Sequence, residues 1–289
     1  MASSVNTNVG AMAAVRVLGN NSRALEIVQN RISSGLKVAT AKDNGATYGI
    51  AQQQRAEVRA FEAVSQGLSR ATSAADVGLA AGAAISDVLI QMREKALAAT
   101  GMTISASSRT SYNEEFVALR DQVASIISNA VFDGINLVGG PGPGPGPTDL
   151  LFPASTDGAQ TISLPVLDFN LTAAPIAMGG PPGIYLDVAQ DISTAVNAQD
   201  ALDRIIVSLD YVNQELSRLG TAAKRVDTHL NFVSRLSDSI VEGIGNIVDA
   251  NLASESAHLQ ALQVKQQMST QALNIANKSP QTLLNLLRS

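Results

Sequence analysis

Between Phe61 and Ala99 apolar and small residues recur at alternating intervals of three and four. One set of heptad positions holds Phe61, Leu68, Ala75, Gly82, Leu89 and Ala96; the other holds Val64, Ala71, Gly78, Ile85, Met92 and Ala99. Ten of the twelve are apolar and two are glycine, while most charges fall on the remaining positions. A 3.5-residue repeat of this length can be buried only along a seam with other helices, which predicts a left-handed helical bundle or coiled coil. The alanines, with Gly78 and Gly82 one turn apart, imply that helices approach closely there. Each of those glycines also costs the helix about 1 kcal/mol relative to Ala.

More helices follow the same logic. Gly101 and the Ser/Thr-rich stretch to Ser111 end the first one. A second carries Tyr112, Phe116, Leu119, Val123, Ile126 and Ala130 on one face. A third runs through Leu202, Ile205, Leu209, Val212, Leu216, Leu219, Ala223, Val226, Leu230, Val233, Ser237, Ile240, Ile244 and Ile247. At ~1.5 Å per residue its length is roughly 70 Å, too long to curl inside a compact domain. The pattern falters at Gly243 and Gly245 and resumes at Leu252 in a new phase, which predicts a hinge or phase shift there. The two ends of the chain are also amphipathic, through Leu18, Leu25, Val28 and Ile32 at the start and Leu252, Leu259, Leu262, Leu273, Ala276, Leu283 and Leu287 at the end. A lone amphipathic helix gains little in water, so these ends are expected to pair with each other, with neighbouring molecules, or with both.

The centre differs. Residues 139–147 alternate Gly and Pro as a low-complexity linker or surface loop. Leu150 to Ser155 and Thr161 to Leu171 flank Thr156-Asp157-Gly158 and read as a β-hairpin, with residues 172–186 loop-like. The fold class is mainly α: an elongated antiparallel bundle built from the N- and C-terminal arms with a small β insert, rod-like in shape.

Composition excludes several functions. Hydrophobic residues make up 45 % but aromatics only 3 %, which suits long helix seams better than a deep globular core. A net charge of −5 without a dense Lys/Arg run argues against nucleic acid and against a polybasic membrane patch. There is no Cys. The N-terminal stretch lacks the basic start of a secretory signal, and the longest uncharged run, Phe169 to Leu186, is broken by Pro and Gly; a soluble protein without a spanning helix is expected. His229 and His258 lack ligand spacing, no phosphate-loop or GxSxG motif occurs, and the acids are dispersed. No cofactor, metal or catalytic residue is indicated, and the chain reads as no enzyme.

Two separated segments then resemble a known family. Val5-Asn6-Thr7-Asn8, Arg31 to Lys37 (RISSGLK) and Ala41 to Ala46 (AKDNGA) look like the N-terminal signature of bacterial flagellins. Ile247 to Ala250, Glu255-Ser256-Ala257, Leu259, Gln263, Gln267, Leu273, Ala276-Asn277 and Pro280-Gln281 look like its C-terminal one. The likeness covers about 140 residues at the start and 90 at the end, and is nearest to short alphaproteobacterial flagellins.

The resemblance implies a structural subunit exported unfolded through the flagellar type III apparatus with its chaperone. The subunit polymerises with copies of itself into the extracellular filament, which also meets cap and hook–filament junction proteins. It implies an inner paired-helix domain (1–43 with 246–289), an outer helical rod (44–139 with 188–245), and a Pro/Gly linker plus hairpin (140–187) on the outer surface. Large outer domains are not expected. The self-assembly residues are Val5, Leu18, Leu25, Val28, Ile32, Leu252, Leu259, Leu262, Leu273, Leu283 and Leu287. Ser155, Thr156, Thr161 and Ser163 are candidates for O-linked sugars.

Many flagellins are bound by a Toll-like receptor through a segment matching Leu89 to Leu97, which includes Arg93, aided by a glutamate matching Glu115. Here Gln91 stands where a receptor-critical Arg is usual, and Lys95 where an apolar residue is, so weak or absent receptor signalling is expected. Two other readings account for paired terminal helices: a hook–filament junction protein, and a secreted coiled-coil effector that binds a host partner.

Overall fold

A computed structural model of the chain describes residues 7–140, 149–172 and 183–287, with side chains as far as residue 278 at the C-terminal end. The elements in order are α1 (Val9–Ser34), α2 (Gly45–Ala99), α3 (Ala106–Asn129), β1 (Val131–Phe132), β2 (Ile135–Asn136), β3 (Asp149–Pro153), β4 (Thr161–Pro165), α4 (Ala195–Val248) and α5 (Leu252–Leu287). The chain divides into two compact units, Met1–Val58 with Asp238–Ser289, and Arg59–Ser237.

In the first unit every helix start is capped. The Asn8, Asn44 and Asn251 side-chain oxygens accept from Ala11 N (2.9 Å), Thr47 N (3.1 Å) and Ser254 N (3.1 Å), satisfying donors that a helix start leaves free. Gly35, with φ 70°, ends α1 in the left-handed conformation that a side chain disfavours. The two interruptions, after α1 and after α4, lie side by side. Val248 O accepts from Lys37 N (2.7 Å) and Val38 N (3.2 Å), and Gly35 O accepts from Ala250 N (2.8 Å). Val38, Ala51, Ile244 and Val248 are buried beneath this joint, with Leu36, Tyr48 and Ile240 packed around them.

In the second unit all twelve heptad positions from Phe61 to Ala99 are buried. Helix α4 lies close against α2 at the glycines: a Cβ on Gly78 would stand 3.0 Å from Leu219 Cδ2, and one on Gly82 would overlap Leu216. The close approach read from Gly78 and Gly82 is therefore real, and α2 runs unbroken through both. Phe116, Val123 and Ile127 of α3 are buried, and Arg109 of α3 donates to Ala99 O (3.2 Å) and Gly101 O (2.9 Å) at the end of α2. β3 and β4 pair antiparallel from Asp149↔Pro165 to Pro153↔Thr161, with Leu164 fully buried. The predicted hairpin is thus present, with Gly158 (φ 70°) in its turn.

Three details of that reading shift and two features add to it. Helix α2 begins at Gly45, well before the regular heptad at Phe61, because Asn44 supplies the cap. The interruption expected between Gly243 and Leu252 is present but falls at its far end: α4 continues through both glycines to Val248, and the break lies where backbone groups of 248–250 turn to bond the α1–α2 connection. On α3 the more deeply buried residue is Ile127 rather than Ile126. A second small hairpin, β1–β2, turns at Asp133 (φ 49°) and Gly134 (φ 79°), a two-residue turn whose positive φ values suit the Asp-Gly pair. Finally, α2 contains a window of mean hydropathy 1.5, long and apolar enough by composition to cross a membrane. Its heptad face is occupied by packing within the second unit. The Gly/Pro run from 141 to 147 and much of the 172–186 stretch lie outside the described residues. Helix α5 is continuous past Pro280.

Candidate assembly surface

Helices α1 and α5 pack along one another. From α1 the seam takes Leu18, Leu25, Val28 and Ile32, together with Ala11, Ala14 and Asn21; from α5 it takes Leu259, Leu262, Gln266, Ser269, Leu273 and Ala276. Each set repeats at three and four, the geometry of a coiled-coil seam. Of these only Val28 and Ser269, each 7 % exposed, are buried; the leucines and Ile32 are half-buried. Two helices alone cannot enclose their shared stripe, so its flanks stay in water. Leu252 is 50 % exposed at the start of α5, outside the seam. Val5 lies outside the described residues, as do the side chains of Leu283 and Leu287.

Polar contacts fix the pairing, and apolar periodicity did not reveal them. Asn8 Nδ2 donates to Ala276 O (2.7 Å), Asn21 Nδ2 to Ser269 Oγ (3.0 Å), and Arg31 Nη1 meets Glu255 Oε1 at 3.2 Å. As the α1 partner number rises, the α5 partner number falls, so the helices run antiparallel. Asn21 and Ser269 occupy heptad positions, and that was the signal available in the sequence. Close by, the Asp43 carboxyl accepts from Thr40 N (2.8 Å) and Ala39 N (3.1 Å), and the Thr40 backbone bond foremost holds it below the usual carboxylate range.

The outward faces of this pair carry exposed apolar side chains. Val264, Met268 and Ile275 are more than half exposed along α5, as are Val9, Met12, Val15 and Val17 on α1. Ala14, Val17, Met268 and Ala272, with Asn21 and Lys265, line a groove of about 480 Å³ between the two helices.

The other singled-out residues, except His258, lie in the second unit. Leu89 is fully buried in the core, whereas Gln91 and Arg93 are exposed. Lys95 Nζ sits 2.6 Å from Glu115 Oε2, and that hydrogen bond keeps its ammonium above the ordinary range. On the β3–β4 turn Thr156 and Thr161 are exposed, while Ser155 and Ser163 are half-buried. Ser155 donates to Asp157 and accepts from Gln160 N (3.1 Å). His229 is half-buried, its Nε2 2.7 Å from Ala154 O; His258 is exposed. Among the described residues no group of three or more His, Cys, Asp or Glu is arranged to hold a metal ion.

Residues 5–141 match the family model of the bacterial flagellin N-terminal helical region, and residues 202–287 that of the C-terminal helical region. The chain is similar to flagellin FljO of Caulobacter vibrioides, 41 % identical over 99 % of this chain and 98 % of that protein. It is 31 % identical to a Brucella melitensis flagellin over 99 % of each. A solved Bacillus cereus flagellin structure overlays 58 % of this chain and 88 % of its own at a TM-score of 0.47, with 22 % identity. The chain therefore belongs to the bacterial flagellins: it is a structural subunit, not an enzyme, that polymerises with copies of itself into the extracellular filament of the flagellum.

Proposed function

We propose that the α1–α5 pair is the element that drives polymerisation, and that its exposed apolar faces are covered by the same pair in neighbouring subunits. The observation that carries this reading is the contrast between a regular heptad seam and its incomplete burial. Burial between subunits supplies what two helices cannot supply alone. Because that gain arises only in the polymer, the terminal arms are ordered on assembly and disordered in the free subunit. In the filament, residues 1–43 with 246–289 form the inner layer, 44–139 with 188–245 the surrounding wall, and 140–187 the outer surface. A subunit with such arms suits export in unfolded form through the flagellar type III apparatus with a chaperone, addition beneath a cap, and attachment through junction proteins.

Two finer readings accompany this one. Thr156 and Thr161 are the better acceptors for an O-linked sugar, because Ser155 is tied into the turn. Toll-like receptor signalling is weak or absent: Gln91 offers no charge, and Lys95 holds the carboxylate of Glu115.

The test is negative-stain electron microscopy of purified subunit added to short filament seeds, beside a truncation ending at Gly245. Long filaments of uniform width from the full chain and none from the truncation are expected. Filaments from the truncation overturn the role given to α5. Small rings from the full chain point instead to a junction protein.

A further inference from the structure

The sulfur chemistry of this chain belongs to methionine alone. The sequence has no Cys and no Trp, and of its six methionines Met1 and Met178 lie outside the described residues. The other four occupy contrasting places. Met92 is fully buried in the heptad core of α2, and Met102 is 94 % exposed in the α2–α3 connection. Met12 on α1 and Met268 on α5 are 52 % and 63 % exposed. Of these, Met268 lines the α1–α5 groove, beside Ala14, Val17 and Ala272.

A thioether is a flexible apolar group suited to filling an irregular gap, and it is also a nucleophile toward peroxides. The sulfur lone pair attacks one oxygen of hydrogen peroxide. An S–O bond forms, the O–O bond breaks, and the departing hydroxide takes the proton of the transferred oxygen and leaves as water. The methionine is oxidised by two electrons to its sulfoxide, and the peroxide is reduced. In the free subunit the new oxygen at Met268 accepts hydrogen bonds from water. Once another subunit covers the groove, it becomes a buried acceptor that has lost that water. The polar groups of the groove do not replace it: Asn21 Nδ2 donates to Ser269 Oγ (3.0 Å), and Lys265 is exposed, with its charge in water.

We propose that Met268 is an oxidation site at which peroxides arrest addition of a subunit to the filament while leaving its fold intact. The site rests on the reading that neighbouring subunits cover the α1–α5 faces. Met102 takes the same oxygen without that effect, and the core shields Met92.

The test exposes full-length subunit, and separately grown filaments, to hydrogen peroxide and then removes the excess with catalase. Peptide mass spectrometry locates each sulfoxide. Treated subunit is added to untreated seeds, with the unassembled fraction measured by sedimentation and helix content by circular dichroism. In the subunit, Met268 and Met102 are expected to oxidise and Met92 to resist; in filaments, Met268 is expected to react about tenfold more slowly. Oxidised subunit is expected to leave a residual concentration about tenfold higher or more, at unchanged helix content. Methionine sulfoxide reductases driven by dithiothreitol are expected to restore assembly, and the dithiol finds no disulfide to attack in this chain. Met268→Leu is expected to assemble alike before and after peroxide, to within about threefold, whereas Met12→Leu and Met102→Leu keep the loss. Normal assembly of subunit carrying the Met268 sulfoxide overturns the site, and so does a Met268→Leu variant as sensitive as wild type; if Met268 is still protected in filaments, the covering of the face stands. Equal oxidation of Met268 in filament and subunit overturns the covering and the site together.

Discussion

The α1–α5 pair and the α2 segment from Phe61 to Ala99 carry the same kind of heptad, yet one is nearly dry and the other is half wet. All twelve heptad positions of the α2 segment are buried, because α4, α3 and residues such as Leu137 and Phe169 approach it from several sides. Among the described side chains of α1 and α5 only Val28 and Ser269 are buried. A heptad states that a helix has a partner; it does not state how many. The second unit completes its own core, while the terminal pair leaves apolar surface exposed.

The comparison breaks most directly at matched leucines. Leu89→Ala, at a fully buried position, is expected to lower the unfolding free energy of the soluble subunit by about 2–5 kcal/mol in denaturant titration. Leu262→Ala, in the seam, is expected to cost the soluble subunit about 1 kcal/mol or less and to show its effect in seeded polymerisation. Equal losses in the soluble subunit would remove the distinction between the two regions.

Glycines sharpen it with a smaller effect of opposite sign. Gly78→Ala places a Cβ 3.0 Å from Leu219 Cδ2 and 3.3 Å from Leu137 Cβ. Overpacking of about 1–3 kcal/mol then outweighs the ~1 kcal/mol of helix propensity gained. Gly19→Ala in α1 meets nothing within 4 Å, so the propensity gain stands, and filaments are expected to melt slightly higher. Scanning calorimetry of soluble subunit and filament separates the two.

The smallest effect is electrostatic and belongs to the second unit alone. Asp191 is held below its ordinary value of 3.8, chiefly by the hydrogen bond from Asn197 Nδ2 (2.7 Å), with further bonds from Ser193. A carboxylate with a lowered folded pKa contributes stability that is present above 3.8 and is lost as pH falls through the lower folded value. Asp191→Asn is therefore expected to flatten the acid limb of the stability–pH curve below that point, with little change at neutral pH.

Much of this was legible in the chain itself. The twelve positions of the Phe61 heptad, the inner face of α4, the close approach at Gly78 and Gly82, and the hairpin around Asp157-Gly158 followed from periodicity, residue size and turn chemistry, all of which act locally. The α1–α5 frames were equally readable. What periodicity could not supply were the events that depend on residues distant in sequence. The change of frame between Gly243 and Leu252 was legible, but the glycines did not mark its place: the interruption falls at 249–251, where Val248 O and Ala250 N bond the α1–α2 connection. Asn21 and Ser269 were polar residues on apolar stripes until the antiparallel pairing brought them to 3.0 Å. Burial was likewise decided in three dimensions, since the number of neighbours around a heptad position depends on which helices the tertiary fold gathers there, and no repeat in one helix encodes that number.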